Sequence, residues 1–160
     1  MNDDDGFRLS LTSEKLRKTY DVWREWRGDR IGPRRDEVAP AKLRAVLSST
    51  FMIDVVDGGK DFRFRFAGER VIQFMGRRLA GSLLSEQTSN PFFERMRAIF
   101  SSCVSTKAPV SRGPVRTSLS GKEYLEIETV VLPLSDDGQN VTCLFGAFDS
   151  WQLGTHTSAG

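Results

Sequence analysis

Histidine occurs once in the 160 residues, as His156, within the C-terminal stretch GTHTSAG. A Ser–His–Asp triad, a Cys–His pair and an HExxH zinc site each need an imidazole held in a packed setting, so all three lack their central residue. Cysteine is nearly as scarce. Cys103 and Cys143 stand far apart with no CxxC partner, which excludes a disulfide framework and leaves a metal site short of soft ligands. They read as buried thiols of a cytoplasmic protein. No stretch approaches the roughly 18 apolar residues of a membrane helix. The opening MNDDDGFRLS is acidic where a secretory signal is basic and then apolar. Neither sign of charge is in excess: 23 Lys and Arg against 21 Asp and Glu leave a net +2, which argues against a dedicated nucleic-acid binder.

Apolar residues are plentiful. They make up 39% of the chain, with 11 Phe and 3 Trp, enough for one packed domain. Residues 1–10 read as a flexible leader, 11–150 as the domain and 151–160 as a tail. A helix is predicted over 12–27, capped by Thr12, with Leu11 and Leu16 spaced as a hydrophobic staple. Leu16, Tyr20, Trp23 and Trp26 fall on one stripe of it. So large an aromatic face must be covered, by the chain's own body or by a second copy. The segment RGDRIGPRRDEVAP follows. Its glycines and prolines mark a connector, and Arg27, Arg30, Arg34 and Arg35 are expected to pair with nearby carboxylates or helix-end carbonyls. Its RGD triplet is a chance match.

PAKLRAVLSS predicts a short helix, and FMIDVV–DGGK–DFRFRF predicts a β-hairpin. Strict alternation there sets Phe62, Phe64 and Phe66 on one face and Arg63 and Arg65 on the other. Short helical pieces broken by Gly76 and Gly81 follow, then a longer helix opening at Pro91 with an inward stripe from Phe92 to Val104. Three strands complete the chain, the first marked as an edge by Pro109 and Pro114. This order suits an α+β domain: a five-stranded antiparallel sheet with short helices and one long helix on one face, plus the N-terminal helix.

Few residues offer chemistry. Glu126 and Glu128 share a strand face and could act as an acid–base pair, but the plainer reading is a solvated sheet face. Cys103 lies on the same stripe as Phe92, Met96 and Phe100, which assigns it to the core. Arg63, Arg65, Arg77, Arg78, Arg112 and Arg116 could form a phosphate-binding surface, yet interleaved acids and core-phased aromatics disfavour it.

Three segments, YDVWREWRGDRIGPRRDEVAPAKLRAVLSSTFMIDVV, DFRFRFAGERVIQFMGRRLAGSLL and ETVVLPLSDDGQNVTCLFGAF, together resemble the single-domain PAS-like proteins common in alphaproteobacteria. The resemblance covers about residues 16–149, with LSST standing where the family usually has Leu-Pro before the first strand. It implies a PAS fold and a sensory or adaptor module of bacterial signal transduction, without catalytic activity. With no output domain attached, the signal is expected to leave through a partner protein such as a kinase. It also implies dimerisation, here a homodimer through Leu16, Tyr20, Trp23 and Trp26. The alternative is a small-ligand sensor with a pocket between sheet and helices, lined by Phe64, Phe66, Ile72, Met75, Phe100 and Phe145. No cofactor is expected. Flavin photochemistry is disfavoured because no cysteine lies in 68–90, and histidine-ligated haem because the long helix carries no histidine.

Overall fold

The expected hairpin forms, with β1 (Thr50–Val56) antiparallel to β2 (Asp61–Ala67). The structure is a computed structural model describing residues 3–87, 91–119 and 121–153, so His156 and most of the expected tail lie outside the described residues. After β2 come α3 (Glu69–Met75) and α4 (Pro91–Thr106), then β3 (Val110–Arg116), β4 (Leu125–Leu134) and β5 (Cys143–Gln152). The sheet order is β2-β1-β5-β4-β3, antiparallel throughout. β3 is an edge strand, as Pro109 before it and Pro114 within it predict. β5 runs on to Gln152, two residues into the expected tail.

Two apolar layers sit on opposite faces of this sheet. On one face Phe51, Ile53, Phe64, Val131, Leu144 and Phe148 pack beneath Phe74 of α3 and Phe93, Phe100 and Cys103 of α4. On the other, Val130, Leu132, Leu134, Cys143, Phe145 and Ala147 pack beneath α2 (Glu14–Arg27). Strands between two cores read as near-continuous apolar runs, and β4 and β5 are buried along most of their length.

The N-terminus departs from expectation. Residues 1–10 read as a flexible leader, but Asp3–Ser10 form a helix, α1. Acidic residues in its first turn complement the helix dipole. Tertiary contacts hold it: Arg8 forms a two-point ion pair with Asp21, Asp4 pairs with Arg27, and the Phe7 ring lies 4.9 Å from that of Tyr20. The cap of α2 is Ser13, not Thr12: the Ser13 hydroxyl accepts from the Leu16 N–H at 3.2 Å. PAKLRAVLSS folds as two 3-10 turns, Pro40–Leu43 and Leu47–Ser49, in place of one short helix.

The arginine-rich connector is a clasp. Arg30 makes a two-point pair with Glu37 at 2.7 and 3.0 Å and also donates to the carbonyls of Trp26 and Arg27. Arg34 reaches Asp36, and the Arg35 N–H donates to Asp136. Gly32 passes the end of β4 so closely that a Cβ there would stand 2.1 Å from the Pro133 carbonyl oxygen. The connector therefore fixes how α2 leaves the sheet.

Candidate functional site

Between the sheet and the α3/α4 layer lies a cavity of about 70 Å³. Phe51, Phe64, Ile127, Thr129 and Phe148 form its floor; Val71, Phe74 and Met75 of α3 and Phe92, Met96, Ile99 and Phe100 of α4 form its walls. Val71, Phe74 and Met75 are three and four residues apart, the spacing that puts side chains on one helix face.

Of the six pocket residues expected from the sequence, Phe64, Met75 and Phe100 border the cavity. The other three do not. Phe145 points to the opposite face, packed with Leu132 and Met52 beneath α2. Phe66 is turned away by a β-bulge: Met52 pairs with Phe66 while the next residue, Ile53, pairs with Phe64. The inserted residue breaks the alternation and leaves Phe66 39% exposed on the α2 side. Ile72 sits one position round α3 from the lining stripe and does not border the cavity.

Two of the arginines weighed as a phosphate-binding surface, Arg112 and Arg116, border this cavity, and Arg95, which no sequence pattern marks, joins them. Together with Val115, Thr117 and Ser118 they form its rim. A second bulge brings this about. Arg112 pairs with Thr129 and Val115 with Ile127, so three steps along β3 match two along β4 and both β3 residues turn to the cavity face. The extra residue falls at Gly113–Pro114. Gly113 has φ of 98°, and a Cβ there would stand 2.3 Å from the Ile127 carbonyl oxygen. A Gly-Pro step inside a strand is the signal in the sequence that marks such a bulge, beyond the edge position read from Pro114. Among the described residues no Asp, Glu, His or Cys borders the cavity.

Both cysteines are core residues. Burial pushes each thiol up to about 12, so neither is a ready nucleophile. Among the described residues no group of three His, Cys, Asp or Glu could hold a metal ion. The surface arginines are largely engaged: Arg65 pairs with Asp54 at 2.9 Å, and Arg63 donates to the Gly81 carbonyl.

The Glu126/Glu128 pair corrects another expectation. Glu128 is not on a solvated face; it is 1% exposed beneath the start of α2. Its two oxygens accept from the backbone N–H groups of Thr12 and Ser13 at 2.9 and 2.8 Å. Its cross-strand neighbour Asp149 accepts from the Ser13 hydroxyl at 2.7 Å and lies 3.6 Å from the Lys15 ammonium. With both oxygens taken by backbone donors, Glu128 is a latch for the α1–α2 cap. A buried carboxylate two residues from a surface position cannot be told from a solvated one by alternation.

The helical stripe is likewise internal. Leu16, Tyr20 and Trp23 are fully buried against this chain's own sheet, the Trp23 indole N–H donating to the Pro133 carbonyl at 3.0 Å; Trp26 is half-buried. Burial, with the Asp4 carboxylate adding to it, pushes the Tyr20 phenol up to about 12.

A family model described as PAS domain matches residues 11–149. Among solved structures the chain is similar to the PAS domain of the histidine kinase ThkA, at 16% identity and a TM-score of 0.48, covering 63% of this chain and 96% of that one. Among curated proteins none matches.

Proposed function

Because this chain belongs to the PAS domain family, we propose that it is a non-catalytic sensory module of signal transduction. In this reading a small ligand between sheet and helices sets a state that a protein partner reads. The supporting observation is the cavity, walled by α3 and α4 on one side and by residues of all five strands on the other. β1, β4 and β5 carry the second core on their far side: Phe51 faces the cavity while its neighbour Met52 packs toward α2. Filling the cavity shifts the strands, and the strands bear on the α1–α2 cap through packed side chains. The cap is the surface on which a signalling partner, a kinase being one class, would sense the change.

Native mass spectrometry of protein purified from its own host tests this reading. The expected result is a bound mass released on denaturation and absent from Ile99→Trp, which fills the cavity wall. Wild type without any bound mass, and with no thermal shift across a library of small metabolites, would count against it.

A homodimer through the α2 stripe takes a specific form here. Since Leu16, Tyr20 and Trp23 are already covered, it requires two copies to exchange α2 across their sheets. Sedimentation velocity checks this: a monomeric wild type ends the exchange reading.

A further inference from the structure

We infer that the cavity's ligand is a small amphipathic anion, a monocarboxylate with a compact apolar body. This deepens the sensory reading above and rests on it. The floor and walls are almost wholly aliphatic and aromatic, which suits an apolar body and gives nothing to a sugar or nucleobase. The rim is different in kind. Arg95, Arg112 and Arg116 border it, with no acidic side chain among the described lining residues. Arg116 has its Nε on the Glu123 carbonyl, but Arg95 and Arg112 enter no ion pair among the described residues. Arg44, Arg70 and Arg78 also enter no ion pair among the described residues; what sets Arg95 and Arg112 apart is that they border an apolar cavity.

A second observation points the same way. The Ser118 hydroxyl oxygen, on the cavity lining, is buried with no hydrogen-bond partner among the described residues. Buried hydroxyls nearly always find a partner, because leaving one unmet costs the hydration it has lost. A carboxylate at the rim would accept from Ser118 and from one or both free guanidiniums, whose forked donors match its two oxygens. A neutral ligand leaves the arginines idle, and a cation is repelled. Size sets the rest. A water needs about 10–15 Å³ of such space, so 70 Å³ admits about five to seven water-sized groups, with the carboxylate outside at the mouth. An arylcarboxylate or a short-chain fatty acid fits; a long acyl chain or a nucleotide does not.

The test uses the full chain and three near-isosteric probes: benzoate, benzamide and benzamidine, titrated by calorimetry at neutral pH. Benzoate is expected to bind at least about tenfold more tightly than benzamide, and benzamidine not detectably. In the Arg95→Gln/Arg112→Gln variant, whose altered side chains are exposed, benzoate should lose at least about tenfold while benzamide is unchanged. Ser118→Ala should weaken benzoate by about threefold or more. Amide shifts on benzoate binding should centre on Thr129 and Phe148. Equal binding of the three probes, an unchanged benzoate affinity in the double variant, or shifts centred elsewhere overturns the anion assignment and leaves the ligand-sensor reading standing. If no probe binds, and hexanoate and hexanol also fail, the cavity itself takes no ligand and both readings fall.

Discussion

Replacing Glu128 by Ala takes both acceptors from the Thr12 and Ser13 N–H groups, which now stand 2.9 and 2.8 Å from its oxygens. A hydrogen bond to a charged group contributes about 1.5–3 kcal/mol, so two set an upper bound of about 3–6 kcal/mol. Against this runs the cost of holding a carboxylate that is 1% exposed, with Asp149 as its cross-strand neighbour. Relieving that desolvation and repulsion returns part of the loss. A net destabilisation of about 2–4 kcal/mol is expected, and for a chain of this size each kcal/mol lowers Tm by about 2–4 °C. Glu128→Gln should lie between, since one of its two positions becomes a donor facing a donor. Calorimetric unfolding gives the global effect. Hydrogen exchange gives the local one: the amides of Thr12, Ser13 and Leu16 should lose protection before those of β1 or α4. If Glu128→Ala leaves Tm within about 1 °C of wild type and those amides exchange at unchanged rates, the latch is not what holds the cap.

Trp23→Ala empties a fully buried indole site and strands the Pro133 carbonyl, and should cost about 3–5 kcal/mol by denaturant unfolding; a loss below about 1 kcal/mol would mean that α2 is not part of the core. Gly113→Ala meets both a left-handed backbone and the Ile127 carbonyl, so a loss of more than about 2 kcal/mol is expected, and an unchanged Tm would refute the bulge geometry at the cavity rim. The Arg30–Glu37 clasp should show in acid. Arg30's hydrogen bonds, and then the Arg34 N–H, lower Glu37 from 4.5 to about 2, so its contribution is whole above pH 4.5 and lost as pH falls through about 2. Tm profiles of wild type and Glu37→Gln should therefore be separate above pH 4.5 and converge near pH 2, whereas a constant gap would rule out linkage through this carboxylate.

Much of the molecule is local grammar. Alternation in DFRFRF, the DGG turn, Pro91 at the first turn of α4 and the prolines of β3 specify the hairpin, the long helix and the edge strand without reference to anything distant. The α2 stripe announces a buried face, and the connector's glycines and arginines announce a fixed turn. Tertiary structure decided which face of each strand meets which layer. In β5 every residue from Cys143 to Phe148 is buried, so composition carries no phase, and only pairing shows that Phe148 floors the cavity while Phe145 supports α2. Two bulges, each a single extra residue, turn Phe66 out and Arg112 in, and alternation cannot register an insertion that the partner strand creates. Glu128 looked like a surface residue because its partners are backbone amides more than a hundred residues earlier. A carboxylate's burial depends on what covers it, and that cover is set by how α1 and α2 dock, a long-range fact that no local window contains.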